Sequence, residues 1–430
     1  MKKKSSPEKK KNSLSLKKKK AVGNKTVTGN ASVKSGQNAK IISKGSAKKT
    51  SVNVFKYPVM ITAGEHSGDL LGSDIIKSFH KKDIVRFFGT GGPRMEKEGV
   101  EIIENVENMS VLGFIEAFQA YRRLKKLALH LVDLAVANKT RLAILIDYPG
   151  FNLRLAAMLK EKGIHVVFVV SPQIWAWKYG RIHSIKKFVD LMLVLFPFEK
   201  EIYEREGINC EWIGHPLVKR IPLQLKSETA VKKYNGITVG LMPGSRRSEV
   251  SRHLSAMLQA AEILAERFGK IRFLIPCIDS SLKEMIEKEL IHHPGLNAEV
   301  YDGNSLAVMN ASRMIILSSG TATLEASFFR KPMVIVYKVS WINFIIASLL
   351  SRVRFIGLVN ILARKQTALE LLQKEVTPAN IADEASRILT DRKYRENMIS
   401  EMDYVNSHLG KGNPASKAVD AVMRHFVKRT

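Results

Sequence analysis

Two doubly wound α/β domains of similar size, facing a shared cleft, are the architecture this sequence predicts. Three observations predict it. Continuous apolar, β-branched runs alternate with amphipathic helical patterns, as strands buried on both faces of a parallel sheet require. The alternation starts again after a short polar stretch from Pro216 to Tyr234, which reads as a linker. A chain of 430 residues with 45% apolar content can fill two separate cores.

Taken in order, residues 1–52 come first and build no core. Sixteen Lys and a single Glu fall within residues 1–50, without one aromatic residue, so the segment reads as a disordered Lys-rich tail. No apolar run follows those lysines as a secretory signal requires. The first domain, 53–222, has strand runs at Val59–Ala63, Leu142–Ile146, Val166–Val170 and Leu191–Leu195. Between them Phe151, Leu155, Met158 and Leu159 share one helical face, closed by Gly163. The second domain, 223–430, opens with Ile237–Met242. A helix follows, with Val250, Leu254, Met257, Ala261, Leu264 and Phe268 on one stripe and Gly269 as its stop. Its further strands are Ile271–Ile275, Met314–Leu317 and Met333–Tyr337, and its terminal helices are free to pack back on the first domain. Rossmann-like halves of this kind bind ligands outside the carboxyl ends of their strands.

Charge and cysteine usage narrow the function classes. The net charge is +29, of which +15 belongs to residues 1–50 and +14 to the other 380. A polycationic tail attracts phosphates, but no recognisable nucleic-acid module accompanies it, so no specific nucleic-acid partner is expected. Cys210 and Cys277 alone argue against a disulfide framework or a Cys-based zinc site and suit a reducing cytosol. No run reaches the roughly 18 uncharged residues of a membrane span. The longest, Val339 to Ser351, is bracketed by Lys338 and Arg352.

Four loops carry the candidate chemistry. Ala63-Gly-Glu-His-Ser-Gly-Asp69 follows the first strand; Gly64 and Gly68 permit close approach, and Glu65 supplies a carboxylate. Pro243-Gly-Ser-Arg-Arg247 follows the first strand of the second half. There, beside Gly244, Ser245 is a candidate helix cap, the bare amides favour an anion and Arg246 adds a charge-assisted contact. Ser318-Ser-Gly-Thr-Ala-Thr-Leu-Glu325 offers the hydroxyls of Ser319, Thr321 and Thr323 beside Gly320, a setting for a diphosphate. Glu325, one turn into the helix, suits ribose hydroxyls. Either of the first two loops could equally be an ordinary strand-to-helix turn. Asp147 closes an apolar strand and is either a general base above the cleft or a turn residue before Pro149.

Walker A spacing, a Gly-x-Gly-x-x-Gly fingerprint after the first strand and Asp-x-Asp pairs are all missing, and His66 and His215 lack nearby metal partners. Kinase, dehydrogenase and metal-bridged sugar-nucleotide chemistry therefore lose ground; no metal and no cofactor are expected. Two aromatic clusters, Trp175 with Trp177, and Trp341, Phe344 and Ile345 within an apolar run, are either core or an acyl-chain surface flanked by Lys and Arg.

These segments closely resemble the lipid-A-disaccharide synthase family. The resemblance is carried by Ala63-Gly-Glu-His-Ser-Gly-Asp-Leu-Leu-Gly72, Gly91-Gly-Pro-Arg-Met95, Ile146-Asp147 with Pro149 and Phe151-Asn-Leu153, and Ser171-Pro-Gln-Ile-Trp-Ala-Trp177. It continues through Pro197-Phe-Glu-Lys200, Gly214-His-Pro216, Pro243-Gly-Ser-Arg246, Ser319-Gly-Thr-Ala322, Leu324-Glu325 and Asn360-Ile-Leu-Ala363. It implies the two-domain glycosyltransferase B fold and transfer of 2,3-diacylglucosamine from UDP-2,3-diacylglucosamine to 2,3-diacylglucosamine 1-phosphate (lipid X). Inversion at the anomeric carbon would give a β-1′,6-linked disaccharide 1-phosphate and UDP. Asp147 and Glu65 match proposed catalytic carboxylates of the family. Arg246 would neutralise the leaving UDP, helped by Ser319 to Thr321; Glu325 would hold the ribose and Asn360 would contact the donor. The resemblance further implies a cytoplasmic enzyme lying peripherally against the anionic cytoplasmic face of the inner membrane, and leaves a homo-oligomer open. Three departures are visible: Gly150 stands where the family often has a second Asp, Arg364, Lys365 and Gln366 follow Ala363 where the family more often shows Gly-Arg-Glu, and residues 1–52 have no counterpart.

Overall fold

The computed structural model describes residues 56–82, 85–109, 114–176, 178–224, 231–277, 280–303, 305–339 and 354–427. Its described strands form two sheets, every pairing parallel. The first contains β1 (Val59–Ala63), β2 (Phe87–Gly91), β3 (Val100–Asn105), β4 (Leu142–Ile146), β5 (His165–Val169), β6 (Leu191–Val194) and β7 (Cys210–Trp212), in the order β3-β2-β1-β4-β5-β6-β7. The second contains β8 (Ile237–Met242), β9 (Ile271–Cys277), β10 (Ala298–Asp302), β11 (Met314–Ser318), β12 (Met333–Tyr337) and β13 (Glu370–Leu372), in the order β10-β9-β8-β11-β12-β13. Both orders run outward from the first strand and then reverse, which is the doubly wound pattern the alternation of apolar runs predicts.

Burial on both faces explains why the central strands are almost wholly apolar. Ile61, Ile144, Val167 and Leu193 point into one core, while Met60, Ala143, Phe168 and Met192 point into the other, across the same sheet. The predicted helical stripes are the buried faces of Pro149–Glu161 and Arg247–Phe268. Gly163 (φ 73°) and Gly269 (φ 61°) end them in a backbone region where a Cβ is strained. Val170 and Leu195, read as strand residues, lie just beyond β5 and β6; Val170 turns out of the sheet at φ 71°.

The stretch read as a polar linker differs. Its first part is the helix Leu217–Gln224, whose Leu217 and Ile221 bury against the second core together with Phe196 from the first half. At the other end of the chain, the helix Arg392–Ser407 packs Met398, Met402 and Val405 on the second core. The helix Pro414–Val427 then crosses back and buries Ala418, Val419, Val422 and Phe426 against the first sheet. Ion pairs of Lys82 with Asp420 and of Glu211 with Arg424 fasten its exposed side. No helix among the described residues is long and apolar enough to cross a membrane.

Candidate active site

Strand order reverses between β1 and β4 in the first sheet and between β8 and β11 in the second. The loops leaving these four strands carry Glu65, Asp147, Gly244 to Arg246, and Ser319 to Thr321 respectively, so both switch points present their loops to one cleft.

Asp147 and Tyr148 both adopt left-handed backbone angles, φ 49° and 45°, which cost non-glycine residues on the order of 1–2 kcal/mol each. Hydrogen bonds from several elements hold them there. Asp147 N–H donates to Val169 O at 2.8 Å. The Asn152 amide donates to Ile146 O at 3.1 Å and Asp147 O at 2.8 Å, and its oxygen accepts from Thr62 Oγ1 at 2.9 Å. Tyr148 hydroxyl donates to Met109 O at 2.8 Å. The Tyr148 ring lies over Gly64, where an added Cβ would come within 2.3 Å of it, so glycine is required for the two loops to dock. Burial, with the nearby negative charge of Glu65 adding to it, raises Asp147 from 3.8 to about 6, against a backbone hydrogen bond that lowers it. A carboxylate that ionises near neutrality at a strand end can take a proton.

Asp147 opens into a cavity of about 230 Å³ whose lining comes from both halves, from Ser67 and Leu71 on one side to Thr321, Glu325 and Leu358 on the other. Glu199 lies in its wall, pushed up to about 7 by burial. The Glu199 carboxyl accepts from Trp175 Nε1 and Phe196 N, each at 3.1 Å. This joins the Ser171–Trp177 and Pro197–Lys200 motifs, and it gives Trp175 a structural partner while leaving the ring half-buried. Burial lowers His215 to about 4, so its imidazole is neutral at pH 7. Arg220 completes the lining; it sits in the helix that the sequence presents only as a linker.

A second pocket, about 440 Å³, is lined by Gly244, Ser245 and Arg246, by Ser318 to Ala322, and by Met242, Pro276, Cys277 and Met309. It shares Thr321 and Glu325 with the Asp147 cavity. Its anion-binding edge differs from the expected serine cap: the N-cap of the helix Arg247–Phe268 is Arg246, and Glu249 of the first turn supplies the carboxylate. Ser245 N–H and Arg246 N–H donate to Glu249 Oε2 at 3.0 and 3.3 Å, and Arg246 Nη1 reaches Oε1 at 3.4 Å. An internal carboxylate thus rests where two amides and a guanidinium converge. Gly244 (φ 135°) passes so close that a Cβ would meet Glu249 at 2.4 Å. Behind this loop, His253 accepts Lys338 N–H at Nε2 and donates from Nδ1 to Pro243 O, so the neutral ring that burial favours braces the turn.

The hydroxyls in the third loop are partly committed: Ser319 Oγ donates to Ile356 O at 2.9 Å and Thr323 Oγ1 to Gly320 O at 2.9 Å. Thr321 stays exposed at the mouth. Burial raises the Glu325 carboxyl while the Arg220 charge acts against it. Asn360 occupies a different place from the donor contact expected of it. Its side chain is fully buried, donating to Ala368 O and Glu370 Oε1 and accepting from Thr367 N and Ala368 N, so it shapes the turn behind the pocket instead. Trp177, Trp341, Phe344 and Ile345 lie outside the described residues. Among the described residues no three His, Cys, Asp or Glu side chains converge as a metal site.

Of the residues around the two pockets, Tyr148, Asn152, Glu199 and Arg220 were not singled out by sequence. Asn152 and Glu199 stand inside matching motifs, which is the signal that could have found them, whereas Arg220 has none. A family model described as lipid-A-disaccharide synthetase matches residues 59–423. A lipid-A-disaccharide synthase of Trichlorobacter lovleyi is 37% identical over 374 residues, covering 85% of this chain and 96% of the relative. One from Coxiella burnetii is 35% identical over 371 residues, covering 85% and 97%. Among solved structures, the UDP-GlcNAc 2-epimerase of Neisseria meningitidis bound to UDP-GlcNAc superposes with a TM-score of 0.60 at 12% identity, over 85% of this chain and all of that one. At that identity the likeness speaks for the fold, the two-domain glycosyltransferase B type.

Proposed function

The chain belongs to the lipid-A-disaccharide synthase family of glycosyltransferases, and from that premise we propose that it transfers 2,3-diacylglucosamine from UDP-2,3-diacylglucosamine to the 6-hydroxyl of 2,3-diacylglucosamine 1-phosphate, with inversion. The observation that carries this reading is Asp147: a carboxyl raised to about 6, in a cavity that shares Thr321 and Glu325 with a second pocket. In one displacement the acceptor oxygen bonds to the anomeric carbon, the bond to UDP breaks, and the acceptor proton passes to Asp147. Glu65, exposed at the rim, orients the acceptor. The second pocket takes the UDP moiety, with Gly244, Ser245 and Arg246 beside the diphosphate, Ser319, Gly320 and Thr321 facing it, and Glu325 at the ribose. As charge develops on the leaving diphosphate, Arg246 exchanges its Glu249 partner for phosphate oxygens.

On this reading residues 53–222 form the acceptor side and 223–430 the UDP-sugar side, and the enzyme works against an anionic membrane surface at the cytoplasmic face of the inner membrane, because both substrates are acylated. Purified protein in detergent is expected to release UDP only when donor and acceptor are both supplied, and to form a β-linked product. Asp147→Asn should lower kcat by at least about 100-fold, the usual contribution of a general base. Release of no UDP, or an Asp147→Asn rate equal to the parent's, would sink the proposal.

A further inference from the structure

Arg220, in the wall of the Asp147 cavity, has no part in the displacement itself. Among the described residues lining that cavity are four carboxyls, Asp74, Asp147, Glu199 and Glu325, and one guanidinium, Arg220. His215 adds no positive charge, since burial holds it near 4. Arg220 is half-buried, and no ion pair or hydrogen bond joins its side chain to another described residue. Asp74 is instead 3.5 Å from Lys219. Burial and the like charge of Arg94 both press against the Arg220 charge, while Glu325 and Asp74 favour it from a distance. A partly desolvated guanidinium without a bonded carboxylate is in an unfavourable setting that an anion would relieve.

The position of Arg220 says which anion. It lines the cavity of Asp147 and does not line the second pocket, where Gly244 to Arg246 and Ser319 to Thr321 converge. Thr321 and Glu325 line both, so a donor held in the second pocket borders the Asp147 cavity. A ligand entering from the Asp147 side is the acceptor. We propose that Arg220 binds the phosphate monoester of the acceptor sugar, forming a subsite that fixes the acceptor with its free hydroxyl at Asp147 and selects phosphorylated over unphosphorylated acceptors. This rests on the acceptor assignment of the cavity made above. An acceptor without phosphate leaves Arg220 half-buried and unbonded, which is how a site built for a charged group rejects an analogue that lacks it.

The test compares 2,3-diacylglucosamine 1-phosphate with its dephosphorylated counterpart in the full-length protein, with UDP-2,3-diacylglucosamine as donor. The parent protein is expected to prefer the phosphorylated acceptor. Arg220→Ala should raise the KM for that acceptor by about 10- to 100-fold, the loss of a charge-assisted contact, and collapse the preference, with the donor KM within about twofold and an unchanged melting temperature. Arg220→Lys should recover part of the preference, since it returns the charge without the two-pronged geometry. An Arg220→Ala protein that keeps the parent's preference overturns the inference. So does a rise confined to the donor KM, which would assign Arg220 to the diphosphate. A parent protein that transfers to neither acceptor overturns the functional reading itself, an outcome distinct from both.

Discussion

Asp147 is held between two opposing demands, to be buried and to be charged, and both can be measured. As a base it must be ionised, so with a folded-state pKa of about 6 the rate should fall roughly tenfold per unit below pH 6 and level off above it. Its effect on stability has the opposite sign. The folded-state pKa lies above the ordinary 3.8, so the folded protein binds this proton more tightly than the unfolded chain does. Below about pH 4 both states are protonated and the group is neutral to stability. Between 4 and 6 a penalty grows, and above 6 it is complete, at about 3 kcal/mol for a two-unit shift. Asp147→Asn should therefore be nearly inactive yet more stable at pH 8 than the parent, with the gain shrinking towards pH 5 in urea unfolding. Asn also tolerates the left-handed backbone at this position, so the loop should persist. A loss of stability at pH 8 would contradict the assigned burial penalty. The position of this carboxylate at a strand end was legible in the sequence. Its raised pKa was not, because it comes from burial in a cavity lined by both halves and from the charge of Glu65 on a separate loop. Arg220 was hidden for the same reason: only tertiary packing brings it to the cavity.

The elements that were easy to read are those buried on both faces. Leu142–Ile146 and Met333–Tyr337 are uninterrupted apolar runs, Val59–Ala63 is broken only by buried Thr62 and Ile237–Met242 only by Thr238 and Gly240, and all four lie inside their sheets. The strands the sequence hides are β2, β3, β7, β10 and β13. Four of these five lie at sheet edges, where β3 and β10 expose Glu101 and Glu299, and β7 and β13 have three residues each; β2 carries two glycines in five residues. Edge position permits charge, and charge removes the apolar signature. The Gly91-Gly-Pro-Arg-Met95 motif likewise has a packing reason. Buried Asp69 accepts from Gly92 N at 2.8 Å, Arg94 N at 3.2 Å and Met95 N at 3.0 Å, capping the helix Pro93–Lys97 from the helix His66–His80. Docking between elements gives a sharper prediction at Gly64. In Gly64→Ala the new methyl overlaps the Tyr148 ring and pushes the Asp147 turn away from the first loop. The variant should lose about 1–3 kcal/mol of stability through overpacking and more than about tenfold in kcat. Adding Tyr148→Ala restores the space, so the double variant should unfold later than Gly64→Ala alone. Additive destabilisation of the two changes would show that this contact does not couple the loops.

Over the whole molecule, the charge of +29 divides into a net +15 within residues 1–50 and +14 over the remaining 380. The family match spans residues 59–423, so residues 1–50 lie outside it and the loops of the candidate site lie inside it. The two portions should therefore respond to different experiments. A Lys-rich segment near an anionic bilayer gains nominally about 1 kcal/mol per lysine at the surface, an attraction that decays over a Debye length of about 10 Å at 0.1 M salt. Full-length protein should co-sediment with phosphatidylglycerol-containing vesicles at about 50 mM salt and be released steeply as salt rises, whereas a protein lacking residues 1–52 should bind at least about tenfold more weakly. Vesicles of zwitterionic lipid should not distinguish the two. With substrates presented in detergent, where no anionic surface gathers the enzyme, both proteins should show the same kcat and the same acceptor preference. Equal binding of the two to anionic vesicles at low salt would strip the tail of a membrane role and leave attachment to the +14 of the catalytic body. A fall in kcat in detergent on removing the tail would mean instead that those residues reach the cleft.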